Sequence, residues 1–186
     1  MSTARPSRSI VTLDLDGVIC GPLLGLNLGI SNEFLDPDAP PRPASVPPRW
    51  LTALLDPLRF EVRRPLPGVG EALRALMEMR SVVLLTGRRT DPARWLRRHG
   101  LNGCFDRIIF NEGPLRSAHF KLDAVMRLGA AEHVDDDGRT AQLLAQRSSA
   151  RVYLCDWPRN RGVEYAPGVM RVEGLSEVAR LVRRAG

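Results

Sequence analysis

Lysine is nearly missing from this chain. Of its 27 positively charged residues, 26 are arginine and one, Lys121, is lysine. So uniform a preference reads as a habit of the whole chain rather than a binding code, which weakens the case for nucleic acid that a net charge of +6 would otherwise make. The exception matters more than the habit. A lone lysine marks a place that needs a compact ammonium where a planar guanidinium would not serve.

Other scarcities exclude whole classes. Cys20, Cys104 and Cys155 are odd in number and widely separated, which rules out a disulfide framework and a thiolate zinc site. His99, His119 and His133 lack ligand spacing, so each reads as structural, with His119, two residues before Lys121, the one that keeps a functional alternative. Aromatic residues make up 5% of the chain, and Trp50, Trp95 and Trp157 read as core or interface residues, with stacking on a nucleobase the alternative for Trp157 near the rim. No apolar run is long enough for a membrane span, and Met1–Ser9 carries no signal-peptide core. The expectation is a cytoplasmic protein with no membrane role.

Against these absences, apolar and β-branched residues gather in short runs that end in acid. The stretch from Ile10 to Val18, IVTLDLDGV, starts as a strand buried on both faces and finishes in two carboxylates, Asp14 and Asp16, beside Gly17. An unpaired carboxylate in an apolar setting costs several kcal/mol or neutralises itself. A divalent cation is the simplest compensation. Residues i and i+2 of a strand share a face, so Asp14 can aim a carboxylate, and Asp16 a carboxylate or main-chain carbonyl, into one small space. Hard oxygen ligands of this kind suit Mg²⁺.

Further strands alternate with helices. Ser81–Leu85 ends in Thr86-Gly87-Arg88, Arg107–Phe110 forms a third strand, and Glu132–Val134 ends in Asp135-Asp136-Asp137. Strands are also expected at Arg151–Leu154 and Val169–Val172. Helices are expected at Glu71–Met79, Pro92–His99, about Ala118–Leu128 with Ser117 as cap, Thr140–Arg147 and Ser176–Arg184. This alternation predicts an α/β fold with a doubly wound, mostly parallel sheet, in one domain over residues 1–186. Residues 18–65 read as an insert or cap. Six prolines between Asp36 and Pro48 keep it irregular, Trp50–Leu58 could form a short helix, and Leu23–Ile30 offers an apolar cap or dimer surface.

Ligands of such sheets bind beyond the carboxyl ends of the strands. That rule gathers Asp14, Asp16, Thr86, Gly87, Asp135 and Asp136 at one rim, with Lys121 near the start of a helix that reaches it. An acid nucleophile, a second acid, a hydroxyl with backbone N–H groups, one ammonium and an acidic metal cradle are the parts of phosphoryl transfer through an aspartyl-phosphate. Asp14 would attack, and Asp16 would serve as acid and then base. Thr86, Gly87, Lys121 and Arg88 would hold the phosphate. Asp14, Asp16, Asp135 and Asp136 would hold the metal, with Asp137 a helix N-terminal acid.

The ordered set Asp14-Leu15-Asp16-Gly17-Val18, Thr86-Gly87-Arg88, Lys121 and Val134-Asp135-Asp136-Asp137 resembles the four motifs of the haloacid dehalogenase-like (HAD) superfamily. That resemblance implies a Rossmann-like fold, an aspartate nucleophile, Mg²⁺ and phosphatase activity on a small phosphorylated substrate. The segment Tyr153–Arg161, with its Pro158-Arg159-Asn160-Arg161 turn, is similar to the deoxyribonucleotidase-like branch and points to a nucleotide. The rival expectations are a phosphatase acting on nucleic-acid ends and a non-catalytic binding protein of the same fold.

Overall fold

The computed structural model describes residues 8–21, 34–41, 43 and 62–185. Among them, six strands form one sheet: β1 (Ile10–Leu13), β2 (Ser81–Thr86), β3 (Arg107–Phe110), β4 (Glu132–Asp135), β5 (Arg151–Cys155) and β6 (Val169–Val172). The helices are α1 (Val69–Met79), α2 (Ala93–Arg98), α3 (Ser117–Leu128), α4 (Gly138–Arg147) and α5 (Leu175–Ala185). The strand order is β3-β2-β1-β4-β5-β6 and every pairing is parallel. The order reverses between β1 and β4, so a crevice at their carboxyl ends is where such a sheet takes a ligand.

Side chains alternate across this sheet. Val11, Leu13, Val82, Leu84, Val134, Tyr153 and Cys155 join α1, α2 and α5 in one core layer. Leu85, Val152 and Leu154 join α3 and α4 in the other. The residues between them on β1 and β4, namely Thr12, His133 and Asp135, therefore face the α3–α4 side, and all three are fully buried. The flanking apolar rows, at about 1.5–3 kcal/mol for each fully buried Val or Leu, let the central strand pair carry this polar row.

Local chemistry sets the boundaries. β1 stops at Leu13, well before Val18, because the chain turns: the amides of Ile19 and Cys20 both donate to the Leu15 carbonyl, at 3.0 and 2.9 Å. Gly17 takes φ +74° at the tip of that turn, a conformation costly for any residue with a Cβ. Asp91 accepts from the Ala93 amide at 2.8 Å at the start of α2, and Asp137 from the Arg139 amide at 3.0 Å at the start of α4. Ser117 does not cap α3 as expected; it is the first helical residue, with Arg116 at the cap position. The reason is packing. Ser117 lies against the turn after β2, where a Cβ built on Gly87 would sit 2.0 Å from its Oγ.

The insert leaves and returns side by side. Leu66 N–H donates to the Ile19 carbonyl at 2.9 Å and Gly21 N–H to the Arg64 carbonyl at 3.1 Å. Asp36–Pro41 is irregular, as its prolines dictate. The apolar run at Leu23–Ile30 and the helix expected at Trp50–Leu58 lie outside the described residues. No described helix is long and apolar enough to cross a membrane.

Candidate active site

Asp14 follows β1 directly and remains on its ladder, its amide donating to the Val134 carbonyl at 2.9 Å. Its side chain is 7% exposed. Oδ2 meets Lys121 Nζ at 3.0 Å, while Oδ1 is buried with no hydrogen-bond partner. Burial pushes the Asp14 carboxyl well above the ordinary range; Lys121 opposes this, and Asp135, Asp136 and Asp16 add to it. A buried carboxylate oxygen without a donor, facing further acids, is the environment a cation would correct.

Asp135 is the best-satisfied acid of the group. Its Oδ1 accepts from the amides of Asp136 and Asp137, both at 2.9 Å, and its Oδ2 from Lys121 Nζ at 2.8 Å. His133 Nε2 lies 2.9 Å from the same Oδ2. Burial raises the Asp135 carboxyl, but Lys121 and His133 outweigh it and hold the group below the usual range. Asp136, in contrast, is pushed up to about 7 by burial and by Asp135, against the pull of Arg159 and Lys121. Arg159 pairs with Asp136 Oδ2 and donates to its carbonyl at 2.8 Å, and Asn160 donates to that carbonyl at 3.0 Å.

Lys121 lies within α3, 2% exposed, and bridges Asp14 and Asp135. Burial disfavours its charge, but the two carboxylates more than compensate and raise its pKa above the ordinary lysine value. One ammonium thus ties the end of β1 to the end of β4. Oxygens of Asp14, Asp135 and Asp136 all lie within 4.8 Å of one another, so these three could hold a metal ion. The chemistry of the set fits Mg²⁺: carboxylate oxygens only, one of them without a donor.

Asp16 stands apart. Arg88 donates to it twice, Nε to Oδ2 at 2.8 Å and Nη2 to Oδ1 at 2.6 Å, and Arg63 also pairs with Oδ1. Burial raises the Asp16 carboxyl, yet hydrogen bonding and charge from Arg88, with Arg63, bring it below its usual value. Its carboxylate is not in the three-acid cluster, and Arg88, expected on phosphate, is directed to Asp16. Thr86 closes β2, buried, with Oγ1 accepting from the Arg88 amide at 3.3 Å. Gly87 follows, packed on Ser117.

Several participants escaped the sequence reading. Arg63 sits where the insert returns, anchored by Trp95 Nε1 on its carbonyl at 2.9 Å. Arg159 and Asn160 reach Asp136 from the 3₁₀ turn after β5, and Trp157 Nε1 holds the Gly17 carbonyl at 2.8 Å. The Pro-Arg-Asn-Arg turn was visible as a pattern; its contact with Asp136 was not. His119, two residues from Lys121, makes no described contact with the carboxylates. Its pKa is lowered by burial and by Arg116.

No family model and no curated protein matches the chain by sequence. Solved structures do match. A haloacid dehalogenase-like family hydrolase from Xanthomonas campestris shares 16% identity at TM-score 0.61, over 96% of each chain. D,D-heptose 1,7-bisphosphate phosphatase from B. bronchiseptica, complexed with magnesium and phosphate, shares 19% identity at TM-score 0.59, over 96% of this chain and 99% of that one. L-2-haloacid dehalogenase from Xanthobacter autotrophicus shares 16% identity at TM-score 0.57, over 75% of this chain and 69% of that one. The fold is therefore that of the HAD-like hydrolases, as the four motifs implied. None of the three is described as a deoxyribonucleotidase, and that narrower resemblance rests on the Tyr153–Arg161 segment.

Proposed function

We propose that this chain is a Mg²⁺-dependent phosphohydrolase that cleaves a small phosphate monoester through an aspartyl-phosphate at Asp14. The observation that carries the reading is the convergence of Asp14, Lys121, Asp135 and Asp136 at the reversal point of the sheet, with Asp14 Oδ1 buried and without a donor. A neighbour of the same fold, complexed with magnesium and phosphate, adds weight.

Asp14, Asp135 and Asp136 would hold Mg²⁺, and Asp16 would add its main-chain carbonyl, its carboxylate being taken by two guanidinium groups. The ion, when bound, supplies positive charge that lets an anionic nucleophile approach an anionic ester. Lys121 fixes Asp14 Oδ2 and so orients the carboxylate that attacks. The bond from the Asp14 carboxylate to phosphorus forms as the ester oxygen departs, and that oxygen takes a proton from Asp16. Asp16 then removes a proton from water, whose oxygen attacks phosphorus and releases phosphate from Asp14. The Thr86 hydroxyl and the Gly87 amide would cradle the phosphoryl oxygens.

Arg88 has two roles in this scheme. Held on Asp16 beside Arg63, it keeps the carboxylate charged, ready for the base step; the acid step requires the arriving phosphoryl group to draw both guanidinium groups away, so that Asp16 can carry a proton. A nucleotide is among the substrates this site would take. A nucleic-acid end is less favoured, because Arg63, Arg80, Arg88, Arg139 and Arg159 are committed to acids inside the fold rather than offered to a phosphate backbone. The test is phosphate release from a panel of phosphorylated metabolites, with and without Mg²⁺. Metal-dependent release supports the reading. Zero release on every member, with metal bound and the protein folded, favours a non-catalytic role.

A further inference from the structure

A second polar residue sits deep in the sheet, at a position where packing alone would favour a hydrocarbon. His133 lies within β4, fully buried, directly opposite Thr12 of β1 in the parallel register. Its Nδ1 is 2.7 Å from Thr12 Oγ1 and its Nε2 is 2.9 Å from Asp135 Oδ2. A carboxylate accepts only, so Nε2 must carry a proton. In the neutral ring Nδ1 is then an acceptor, and the Thr12 hydroxyl donates to it in preference to the Glu132 carbonyl 3.2 Å away. The chain of contacts runs unbroken: Thr12 to His133, His133 to Asp135, Asp135 to Lys121, Lys121 to Asp14.

We propose that His133, oriented by Thr12, is a positioning residue that holds Asp135 in the rotamer from which it anchors Lys121 and the amides of Asp136 and Asp137. This rests on the phosphohydrolase reading for its consequence in catalysis, but not for its consequence in metal binding. The geometry explains why the position is polar. Asp135 Oδ1 receives two amides that shape the Asp136–Asp137 turn, so any rotation of the carboxyl would break them as well as the Lys121 bridge. Nε2 braces the opposite oxygen. The apolar neighbours of this row, Leu13 and Val134, face the other layer and take no part. His133 contacts Thr12 and Asp135 and not Asp14. It acts through Asp135, as partners one contact removed from a ligand set commonly do.

The test compares His133→Leu, His133→Gln and Thr12→Val with the wild type. The full chain is used, with p-nitrophenyl phosphate for turnover and calorimetry for Mg²⁺ binding. Glutamine keeps an N–H donor near the place of Nε2; leucine keeps only volume. His133→Leu should lower kcat and Mg²⁺ affinity by about 10–100-fold while KM changes little. His133→Gln should recover most of both. Thr12→Val should lower both in the wild-type background and neither in His133→Leu. Folded His133→Leu with wild-type kcat and Mg²⁺ affinity overturns the proposal, as does His133→Gln losing as much as the leucine variant. If His133→Leu does not fold, Thr12→Val decides: weakened Mg²⁺ binding supports the proposal and unchanged binding overturns it. A wild type that binds Mg²⁺ but releases no phosphate refutes the phosphohydrolase reading alone, and the calorimetric comparison still decides the role of His133. A wild type that does neither refutes both.

Discussion

Gly17 and Asp136 approach so closely that a Cβ built on the glycine would lie 1.9 Å from Asp136 Oδ2. The two belong to loops after different strands, and the absence of a side chain at one leaves the space that the carboxylate of the other occupies. Gly17 also holds φ +74°, so both conformation and volume restrict the position.

Gly17→Ala should therefore act on the site rather than on the core. The methyl must displace Asp136, so Mg²⁺ affinity and kcat should fall by about tenfold or more, with a stability loss of about 1–3 kcal/mol from the strained backbone. Calorimetric titration with Mg²⁺ beside thermal melts checks this. Wild-type metal affinity in the alanine variant would show that Asp136 takes no part in binding the ion.

Lys121 is the residue whose loss should cost most stability. Lys121→Met leaves Asp14 and Asp135 buried without their shared cation, a change worth about 3–5 kcal/mol. Chemical denaturation measures it, and added Mg²⁺ should recover more stability in the variant than in the wild type. Lys121→Arg should also lose most activity, since a planar fork does not fit a site built for one compact ammonium touching two carboxylates.

The raised pKa of Asp136 predicts a pH effect with a definite sign. Its folded value, about 7, lies above its ordinary one, so between roughly pH 4 and 7 the folded state binds more protons than the unfolded. The stability this contributes is fully present at the acid end of that window and is lost as pH rises through about 7. Melts in EDTA should thus show Asp136→Asn gaining on the wild type from pH 5 to pH 8. Parallel melting curves across that range would contradict the assignment.

How much of this was legible in the sequence follows from where each signal lies. Strands that end in acid, the lone Lys121 and the acid run at 135–137 announce themselves locally, so the sheet and the convergence of Asp14, Lys121, Asp135 and Asp136 could be read in advance. The Asp16–Arg88–Arg63 grouping could not, because Arg63 arrives through an insert whose path no local pattern encodes and pairs with Asp16 across 47 positions. His133 read as structural because its partner Thr12 lies on another strand, 121 positions away. A faint signal was present even so: Thr12-x-Asp14 and His133-x-Asp135 both place a polar residue two positions before an acid, on the same strand face. Ser117 has the local look of a cap because the packing demand of Gly87, which places it inside the helix, is also long-range.

The most direct test of the account is whether a phosphoryl group passes through Asp14. Turnover of a substrate from the panel, quenched in acid with Mg²⁺ present and digested, should yield the peptide containing Asp14 carrying one phosphoryl group. Asp14→Asn should show no such peptide and should lower kcat by about 10⁴-fold or more while melting like the wild type. Metal-dependent phosphate release that survives in Asp14→Asn, or that leaves no phosphoryl group on Asp14 in the wild type, would contradict it.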